Sequence, residues 1–470
     1  MTPPIAIRRK LGLAALILPG FALSALAQTP TVAPPILEKG DAAWMMVSAI
    51  LVMAMTLPGL ALFYGGLVRT KNMLSVLMQV LTIFCVIALL WVIFGYSLAF
   101  TGAATSEDAS WFTPFIGGLS KSFLAGVTPA SISETFSANI YVPELVFVTF
   151  QMAFACIAAA LIVGATVERM KFAAILVFVV IWFVLSYLPM AHMVWWWGGP
   201  SAFRAPSGYL FGHGALDFAG GTVIHINAAV AGLVAAIIVG PRLGYRKELM
   251  APHSLPFTFI GGCLLWIGWF GFNAGSAMEA TGTAALALLN TAVATAAAAL
   301  AWAFGEWVFR GHPSLLGGIS GAVAGLVGIT PAAGFVGPMG AITIGLVAGL
   351  LCMWFVIGVK ARFGIDDSLD VFGIHGIGGI VGAVLTGIFA APSLGGTGVF
   401  DYATGEIAEY SIPAQVMAQT LGVLIAVIWS AVVSVIALSV ARAMVGLRVG
   451  QGDERQGLDL TTHGESAYNG

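Results

Sequence analysis

Two histidines stand in apolar, glycine-rich runs where ionisable side chains are rare. His225 lies in "HGALDFAGGTVIHINAAVAGLV" (213–234), and His375 lies in "DVFGIHGIGGIVG" (370–382). Burying an ionisable group in such a segment is costly, and the groups that persist there usually mark a pathway for ions or protons. A structural histidine with satisfied hydrogen bonds is the alternative. The two residues are therefore the first candidates for function.

An aspartate precedes each histidine by eight residues, giving the pairs Asp217/His225 and Asp367/His375. Eight residues of α-helix rise about 12 Å, roughly from a membrane edge to its midplane. Two such segments entering from opposite sides would bring their histidines together. Asp217 suits the first turn or cap of a helix, and it could also favour a cation at the outer vestibule. We expect a structural and electrostatic role for it rather than direct contact with a substrate.

A metal centre is not predicted at the histidines. Metal sites usually need three or four ligands, and no Cys, Asp or Glu accompanies the pair at the same depth. The four cysteines fall in apolar stretches without metal-type spacing and indicate small buried side chains.

Aromatic residues at helical spacing form a second group of candidates. Trp269, Phe272 and Ser276 repeat at intervals of three and four, and Phe150 and Phe154 do the same, so each set shares one face of a helix. Such stripes are more often core or lipid-facing than a ring gate. For Trp195 and the two tryptophans after it, an interfacial aromatic belt is the default interpretation.

Composition defines the elements that position these residues. Of 470 residues, 59% are hydrophobic and only 9% are charged, too few charges to cover a water-soluble surface. The chain is therefore predicted to be an all-α polytopic membrane protein. The net charge of -2 does not indicate a nucleic-acid partner. The sequence has no glycine-rich phosphate loop and no nucleophile elbow. We therefore predict that the protein is neither an enzyme nor an ATP-driven pump and that it uses no cofactor.

Hydropathy predicts eleven transmembrane helices. The last run of about 34 residues would be about 50 Å long as one helix, against a hydrocarbon layer of about 30 Å, so it tilts or projects. The predicted spans are 43–66, 74–101, 144–167, 172–195, 217–240, 255–278, 283–309, 314–334, 337–359, 371–391 and 413–446.

The first 27 residues have the pattern of a signal peptide, with a basic region, a short apolar core and a small-residue cleavage site. A retained first helix is the alternative. After residue 27, the alternating loops place thirteen Lys and Arg on one side and three on the other, which predicts an outside N-terminus and a cytosolic C-terminus. The predicted organisation is a signal peptide (1–27), a transmembrane domain (28–446) and a cytosolic tail (447–470), in a bacterial inner membrane.

The chain also has the pattern of an internal duplication. His225 and His375 lie 150 residues and five spans apart. Because five is odd, the two copies enter the membrane from opposite sides. This arrangement predicts two five-helix inverted repeats followed by the long eleventh helix, with a site near the midplane between the halves.

Several long motifs together resemble the ammonium transporter family (Amt/Mep/Rh), most closely its bacterial Amt branch. The resemblance runs from about residue 40 to the end. It rests on the two histidine segments already quoted, on "GWFGFNAGSA" (268–277), on "LPGLALFYGGLVRTKN" (57–72), on "PSLLGGISGAVAGLVGIT" (313–330) and on the tail "GLRVGQGDERQGLDLTTHGESAYN".

The resemblance implies a homotrimer in the lipid bilayer, with eleven helices and one pore in each subunit. It also implies that a PII-type nitrogen-regulatory protein binds the cytosolic face. It also implies roles for single residues. His225 and His375 match the twin pore histidines, Phe154 and Phe272 the stacked gate, Phe150, Trp195 and Ser276 the outer ammonium recruitment site, Asp217 the acidic residue below it, and Trp269 a pore-lining tryptophan.

Two outer segments depart from the family pattern. The stretch 198–214, which follows Trp195 to Trp197, is longer than expected, so that a neighbouring tryptophan could replace Trp195 at the recruitment site. The segment 102–143 is also larger than expected.

The expected function is ammonium transport. Ammonium would lose its proton near the gate, and ammonia would pass the histidines, which could relay the proton. The alternatives are uniport of intact ammonium and a sensor that signals through the tail.

Overall fold

The computed structural model describes residues 35–468, so the predicted signal peptide lies outside the described residues. Eleven apolar helices account for most of this part of the chain. Ten of them are long and apolar enough to cross a membrane, and α8 is shorter. The helices are α1 (Lys39–Leu67), α2 (Thr70–Phe100), α3 (Glu144–Ala165), α4 (Phe172–Trp195), α5 (Gly221–Val239), α6 (Leu255–Gly275), α7 (Gly282–Arg310), α8 (Leu315–Ile329), α9 (Pro338–Phe363), α10 (Phe372–Phe389) and α11 (Ile412–Val445).

The predicted polytopic helical fold is confirmed, and each predicted span coincides with one of these helices. The largest difference is at α8, which ends at Ile329 although the apolar run continues to residue 334. Turns follow, because Pro331 has no backbone N–H and cannot continue the helical hydrogen bonds. Helix α11 is a single helix of 34 residues, as the sequence predicts.

Helices α5 and α10 share an unusual first turn. Each begins as a short π-helix, Gly221–Ile226 in α5 and Phe372–Gly376 in α10. The π-helical turns contain His225 and His375 respectively. Short π-helical turns inside α-helices occur frequently at functional sites. Four other helices (α1, α2, α4 and α9) contain a π-helical turn in their interior or later part. Only α5 and α10 of the eleven described helices begin with one, in agreement with the inverted repeat.

The long connections lie on one face of the bundle, where they contact one another. We call it the outer face and define it by the segments 35–41, 101–144, 196–220, 276–281 and 390–411. Its strands are short: Ile36–Leu37 (β1), Ile132–Glu134 (β2) and Ile140–Pro143 (β3) form a sheet in the order β1-β3-β2, and Phe400–Asp401 (β4) pairs with Glu406–Ile407 (β5).

A buried histidine fixes the 101–143 segment to the helices. The two ring nitrogens of His192 lie 2.9 Å from the carbonyl oxygen of Ala99 and 2.8 Å from that of Thr113. Helix α4 is thereby joined to both the end of α2 and the 101–143 segment.

The C-terminal tail packs against the opposite, inner face. It contains two short helices, α12 (Gln451–Gln456) and α13 (Leu458–His463). The Glu454 carboxylate pairs with Arg448 and accepts a hydrogen bond from the backbone N–H of Leu243. The Asp459 carboxylate accepts one from the N–H of Ser75 in α2. The tail is therefore an ordered part of the inner surface.

Candidate functional site: a buried histidine pair beneath two stacked rings

The two histidines meet inside the bundle. The Nδ1 atoms of His225 and His375 are 3.2 Å apart, and the two rings are nearly parallel, at an angle of 19°. Both residues are buried. A hydrogen bond between two Nδ1 atoms requires one to donate and the other to accept. In a neutral pair, one outward-facing Nε2 is consequently an acceptor and the other is an N–H donor.

His225 presents a buried nitrogen to the space beside the pair. Its Nε2 has no partner among the residues that the structure describes. On one side the ring stacks against Trp269, with centroids 5.3 Å apart, and Phe272 lies 6.0 Å away. Within residues 35–468, no group of three or more His, Cys, Asp or Glu side chains could hold a metal ion. The unpaired nitrogen can instead form a hydrogen bond with a small molecule passing the ring.

Asp217 orients the turn that carries His225. Its carboxylate accepts hydrogen bonds from the backbone N–H groups of Gly220, Gly221, Thr222 and Val223, at 2.6–3.1 Å. Four N–H groups at the start of a helix lack partners within the helix, and a carboxylate there satisfies them. The chain enters this turn through Gly220, whose φ of 113° is accessible mainly to glycine.

Asp367 caps α10 in the same way. Its carboxylate accepts hydrogen bonds from the N–H groups of Val371 and Phe372, at 3.0 and 2.8 Å. Burial raises the pKa of both aspartates, of Asp367 to about 6, although the backbone donors act in the opposite direction. Each aspartate therefore acts as a cap that fixes the start of a histidine-bearing helix.

A glycine allows the two helices to approach closely enough for the histidines to touch. A Cβ atom at Gly379 would lie 2.9 Å from Cγ1 of Ile226 and 3.1 Å from the carbonyl oxygen of Gly221. Any side chain at this position of α10 would therefore push against the π-helical turn of α5. Separation of these turns would break the contact between the two Nδ1 atoms.

A pair of stacked rings lies above the histidines. The rings of Phe154 and Phe272 are 4.2 Å apart and within 6° of parallel. Both side chains are fully buried, at 1% and 0% exposure. The rings stack on one another, and Phe272 also lies next to His225.

Phe150, Trp195 and Ser276 lie at the outer side of these rings. Phe150 is 4.6 Å from Phe154, and the Trp195 ring stands edge-on to Phe154 at 6.1 Å. The indole N–H of Trp195 donates to the carbonyl oxygen of Asp217. The Ser276 hydroxyl donates its proton to the carbonyl oxygen of Phe272, which leaves its lone pairs available to accept a hydrogen bond.

The three consecutive tryptophans have different environments. Trp196 stacks on His192 at 4.5 Å, whereas Trp197 stacks on Phe211 at 5.2 Å. Trp195 is the one of the three whose ring contacts Phe154. The longer 198–214 segment thus places Trp197 in an aromatic cluster of the outer face without displacing Trp195.

Some supporting residues escape sequence reasoning. The Trp269 indole donates to the hydroxyl of Thr330, which itself donates to the carbonyl oxygen of Leu326. This contact fixes the ring that stacks on His225. Thr330 follows α8 and is separated from Trp269 by 61 residues, so no local pattern in the sequence connects the two.

Comparisons with known proteins identify the family of the chain. The profile of the Ammonium Transporter Family matches residues 43–468. An ammonium transporter of Aquifex aeolicus is 47% identical over 92% of this chain and 94% of its own length. One of Bacillus subtilis is 43% identical over 92% and 99%.

Solved structures of related proteins have a similar fold. Saccharomyces cerevisiae Mep2 superposes with a TM-score of 0.75 at 34% identity, covering 88% of both chains. A structure described as a sensor Amt protein superposes with a TM-score of 0.78 at 28% identity, covering 90% of this chain and 98% of that one. The chain belongs to the ammonium transporter family. It is a multi-pass membrane protein of a transporter family and not an enzyme.

Proposed function

We propose that the chain takes ammonium from the outer face, removes its proton near the Phe154/Phe272 gate and conducts ammonia past His225 and His375. The observation that carries this proposal is the vertical order of the groups. Phe150 and the Ser276 hydroxyl lie on the outer side of the stacked Phe154 and Phe272 rings, and the hydrogen-bonded pair of His225 and His375 lies beneath these rings.

Recognition begins at the recruitment site. Phe150 and Trp195 offer aromatic faces, and a cation–π contact contributes about 0.5–2 kcal/mol. This attraction acts on potassium as well as on ammonium. The lone pairs of Ser276 distinguish the two, because ammonium donates N–H hydrogen bonds and potassium cannot.

The gate supports a larger discrimination. Moving an intact ion into an apolar, low-dielectric passage costs on the order of several kcal/mol. Desolvation also favours the uncharged form of a nitrogen base. Ammonium can avoid this cost by losing a proton, whereas potassium has no proton to lose. Beneath the gate, the unpaired Nε2 of His225 offers ammonia a hydrogen-bond partner.

The histidine pair supports proton movement as part of the same proposal. A donor and an acceptor already face each other at 3.2 Å. The proton that ammonium loses would enter at the accepting Nε2 of His225, the shared proton would move from one Nδ1 to the other, and His375 would release the proton on its Nε2. These three steps together reverse both tautomers without any movement of the rings. His225 and His375 would thereby transfer a proton between the two sides of the contact while ammonia passes separately.

The proposal includes the setting of the protein. The excess of Lys and Arg in one set of loops supports an outside N-terminus and a cytosolic tail in a bacterial inner membrane. Family membership supports a homotrimer with one pore per subunit. The ordered tail and the loop after α5, joined by Glu454, would form the surface for a PII-type regulator.

Two other functions use the same residues. In a uniporter of intact ammonium, the histidines would only coordinate the ion. In a sensor, ammonium would change the contacts of the tail. The similarity to a structure described as a sensor Amt protein makes this hypothesis worth testing. The relatives named ammonium transporters are more similar in sequence, which favours transport.

Uptake of methylammonium in bacterial cells that lack other ammonium carriers tests transport directly. We expect saturable uptake in cells that produce the chain and none with the empty vector. Substitution Phe272→Ala provides an internal comparison, because removal of one gate ring should admit potassium. If the wild-type protein is present in the membrane but the cells show no uptake, transport is refuted and the sensor hypothesis is favoured.

A further inference from the structure

Glu279 is a buried carboxylate that none of the roles above uses. It lies three residues after Ser276, in the turn that joins α6 to α7 on the outer face. Only 5% of the residue is exposed. Three peptide steps separate the two Cα atoms by at most about 11 Å. Glu279 and Ser276 therefore lie in the same short turn of the outer face.

The hydrogen bonds of Glu279 orient its charge without neutralising it. The carboxylate accepts one bond from the backbone N–H of Ser137 and one from the Ser137 hydroxyl, both of 2.9 Å. In the part of the chain that the structure describes, no Lys, Arg or His forms an ion pair with it. By contrast, Glu144 on the same face is paired with Lys121.

The backbone beside Glu279 is held in an uncommon conformation. Met278 has a φ of 62°, in the left-handed region that a residue with a side chain seldom occupies. Such strain persists where the surrounding structure enforces it, often near functional sites. The next residue, Ala280, donates its N–H to the carboxylate of Asp41. This turn is therefore fixed between two carboxylates.

The outer face as a whole is strongly acidic. Its connecting segments and helix ends contain eleven Asp and Glu but only three Lys and Arg, which gives 3 − 11 = −8. The formal net charge of the whole chain is only -2, so the surplus is concentrated on one side. The residues counted are those at 35–41, 101–144, 196–220, 276–281 and 390–411.

We propose that Glu279 is a positioning residue of the entrance, whose unpaired carboxylate raises the local concentration of monovalent cations at Ser276. The inference rests on the proposed ammonium transport and names an additional residue for it. A fixed charge that no nearby cation neutralises concentrates ions of opposite sign around it. The charge attracts potassium as well as ammonium. It therefore increases apparent affinity and leaves selectivity to the gate.

The test is uptake of labelled methylammonium into vesicles containing the full chain, with Glu279→Gln as the variant. Glutamine keeps an acceptor for Ser137 and removes the charge. We expect the apparent KM to rise about three- to tenfold while the maximal rate stays the same. Glu279→Asp should restore most of the affinity. Glu107→Gln removes the same formal charge from an exposed position of the same face, and its KM should change less than about 1.5-fold.

Ionic strength gives a second measurement that does not depend on one variant. Raising it from about 0.01 to 0.15 M shortens the screening length from about 30 to 8 Å. The KM of the wild-type protein should rise with ionic strength, and the ratio between the KM of Glu279→Gln and that of the wild type should become smaller. The inference is overturned if the KM of Glu279→Gln is unchanged, whether or not its maximal rate falls. It is also overturned if the KM of Glu107→Gln rises by the same factor as that of Glu279→Gln. Failure of the proposed transport would look different, because the wild-type protein itself would then show no saturable uptake.

Discussion

The two aspartate–histidine segments use one design in two different surroundings. In both, an aspartate caps a π-helical turn and a histidine follows eight residues later. The outer segment adjoins rings: His225 contacts Trp269 and Phe272. The inner segment adjoins charges instead, since the Lys360 ammonium pairs with Asp370 and donates to the carbonyl oxygen of Asp367.

The different neighbours of the two segments suggest different roles for them. Both segments have the cap and the imidazole, which together produce the contact between the two Nδ1 atoms. The outer segment adjoins the stacked rings of Phe154 and Phe272 and is linked to Trp195 through the carbonyl oxygen of Asp217. We therefore expect changes in the outer segment to affect selection and passage, and changes in the inner segment to affect mainly packing and proton movement.

The caps should give the largest difference between the two segments. Asp217→Ala leaves four backbone N–H groups without their carboxylate, and each unsatisfied buried group costs about 1–3 kcal/mol. The His225 turn and the carbonyl that holds Trp195 should both shift. We expect methylammonium uptake per folded protein to fall to about a few per cent of wild type.

Asp367→Ala is the matched control for this experiment. It removes the equivalent cap from α10, where the Lys360–Asp370 pair remains, and uptake should fall less. Size-exclusion chromatography in detergent gives the amount of folded protein in each case. Equal losses in the two variants would show that the outer cap has no special role.

Substitution of the histidines should have the next largest effect. His225→Ala removes the ring that carries the unpaired Nε2 and stacks on Trp269, so substrate flux in liposomes should fall more than in His375→Ala. Current recorded in parallel should lose its fixed ratio to flux in both variants, because the proton relay needs both rings. If both variants keep the wild-type ratio and the same ammonium-over-potassium selectivity, the relay is refuted.

Much of the fold could be predicted because its physical determinants are local. Apolar length predicted the helices, and the repeated Asp–His spacing predicted that two segments are equivalent. Prediction was less complete at α8, where the apolar run continues past Ile329 but turns replace the helix. Hydropathy responds to composition and does not register a backbone that can no longer form helical hydrogen bonds.

The candidate site could be predicted only as far as single helices. Spacing placed Phe150 and Phe154 on one face, but contacts between helices were beyond its reach. The choice of Trp195 over Trp196 depends on a stack with His192, and the link from Trp269 to Thr330 depends on the end of α8. The charge of Glu279 was likewise overlooked, because whether a carboxylate is paired depends on residues distant in sequence.

The smallest effect we expect separates two adjacent carboxyls of the inner segment by their pH dependence. Burial would raise the pKa of Asp366, but the hydrogen bonds and charge of Arg242 outweigh it and hold that pKa below its ordinary value. Burial raises the pKa of the neighbouring Asp367 to about 6, although the charge of Lys360 opposes the shift. The two groups therefore influence stability with opposite signs.

A lowered folded-state pKa means that Asp366 stabilises the fold above about pH 4 and that this contribution is lost as the pH falls through the folded pKa. For Asp367 the raised pKa means that the fold loses stability as the pH rises from about 4 to 6, by at most about 2–3 kcal/mol. Thermal unfolding in detergent between pH 3 and 7 measures both. The deficit of Asp366→Asn relative to wild type should grow with pH, whereas that of Asp367→Asn should shrink. Parallel curves for the two variants would mean that Arg242 at Asp366 and burial at Asp367 do not move the two pKa values in opposite directions.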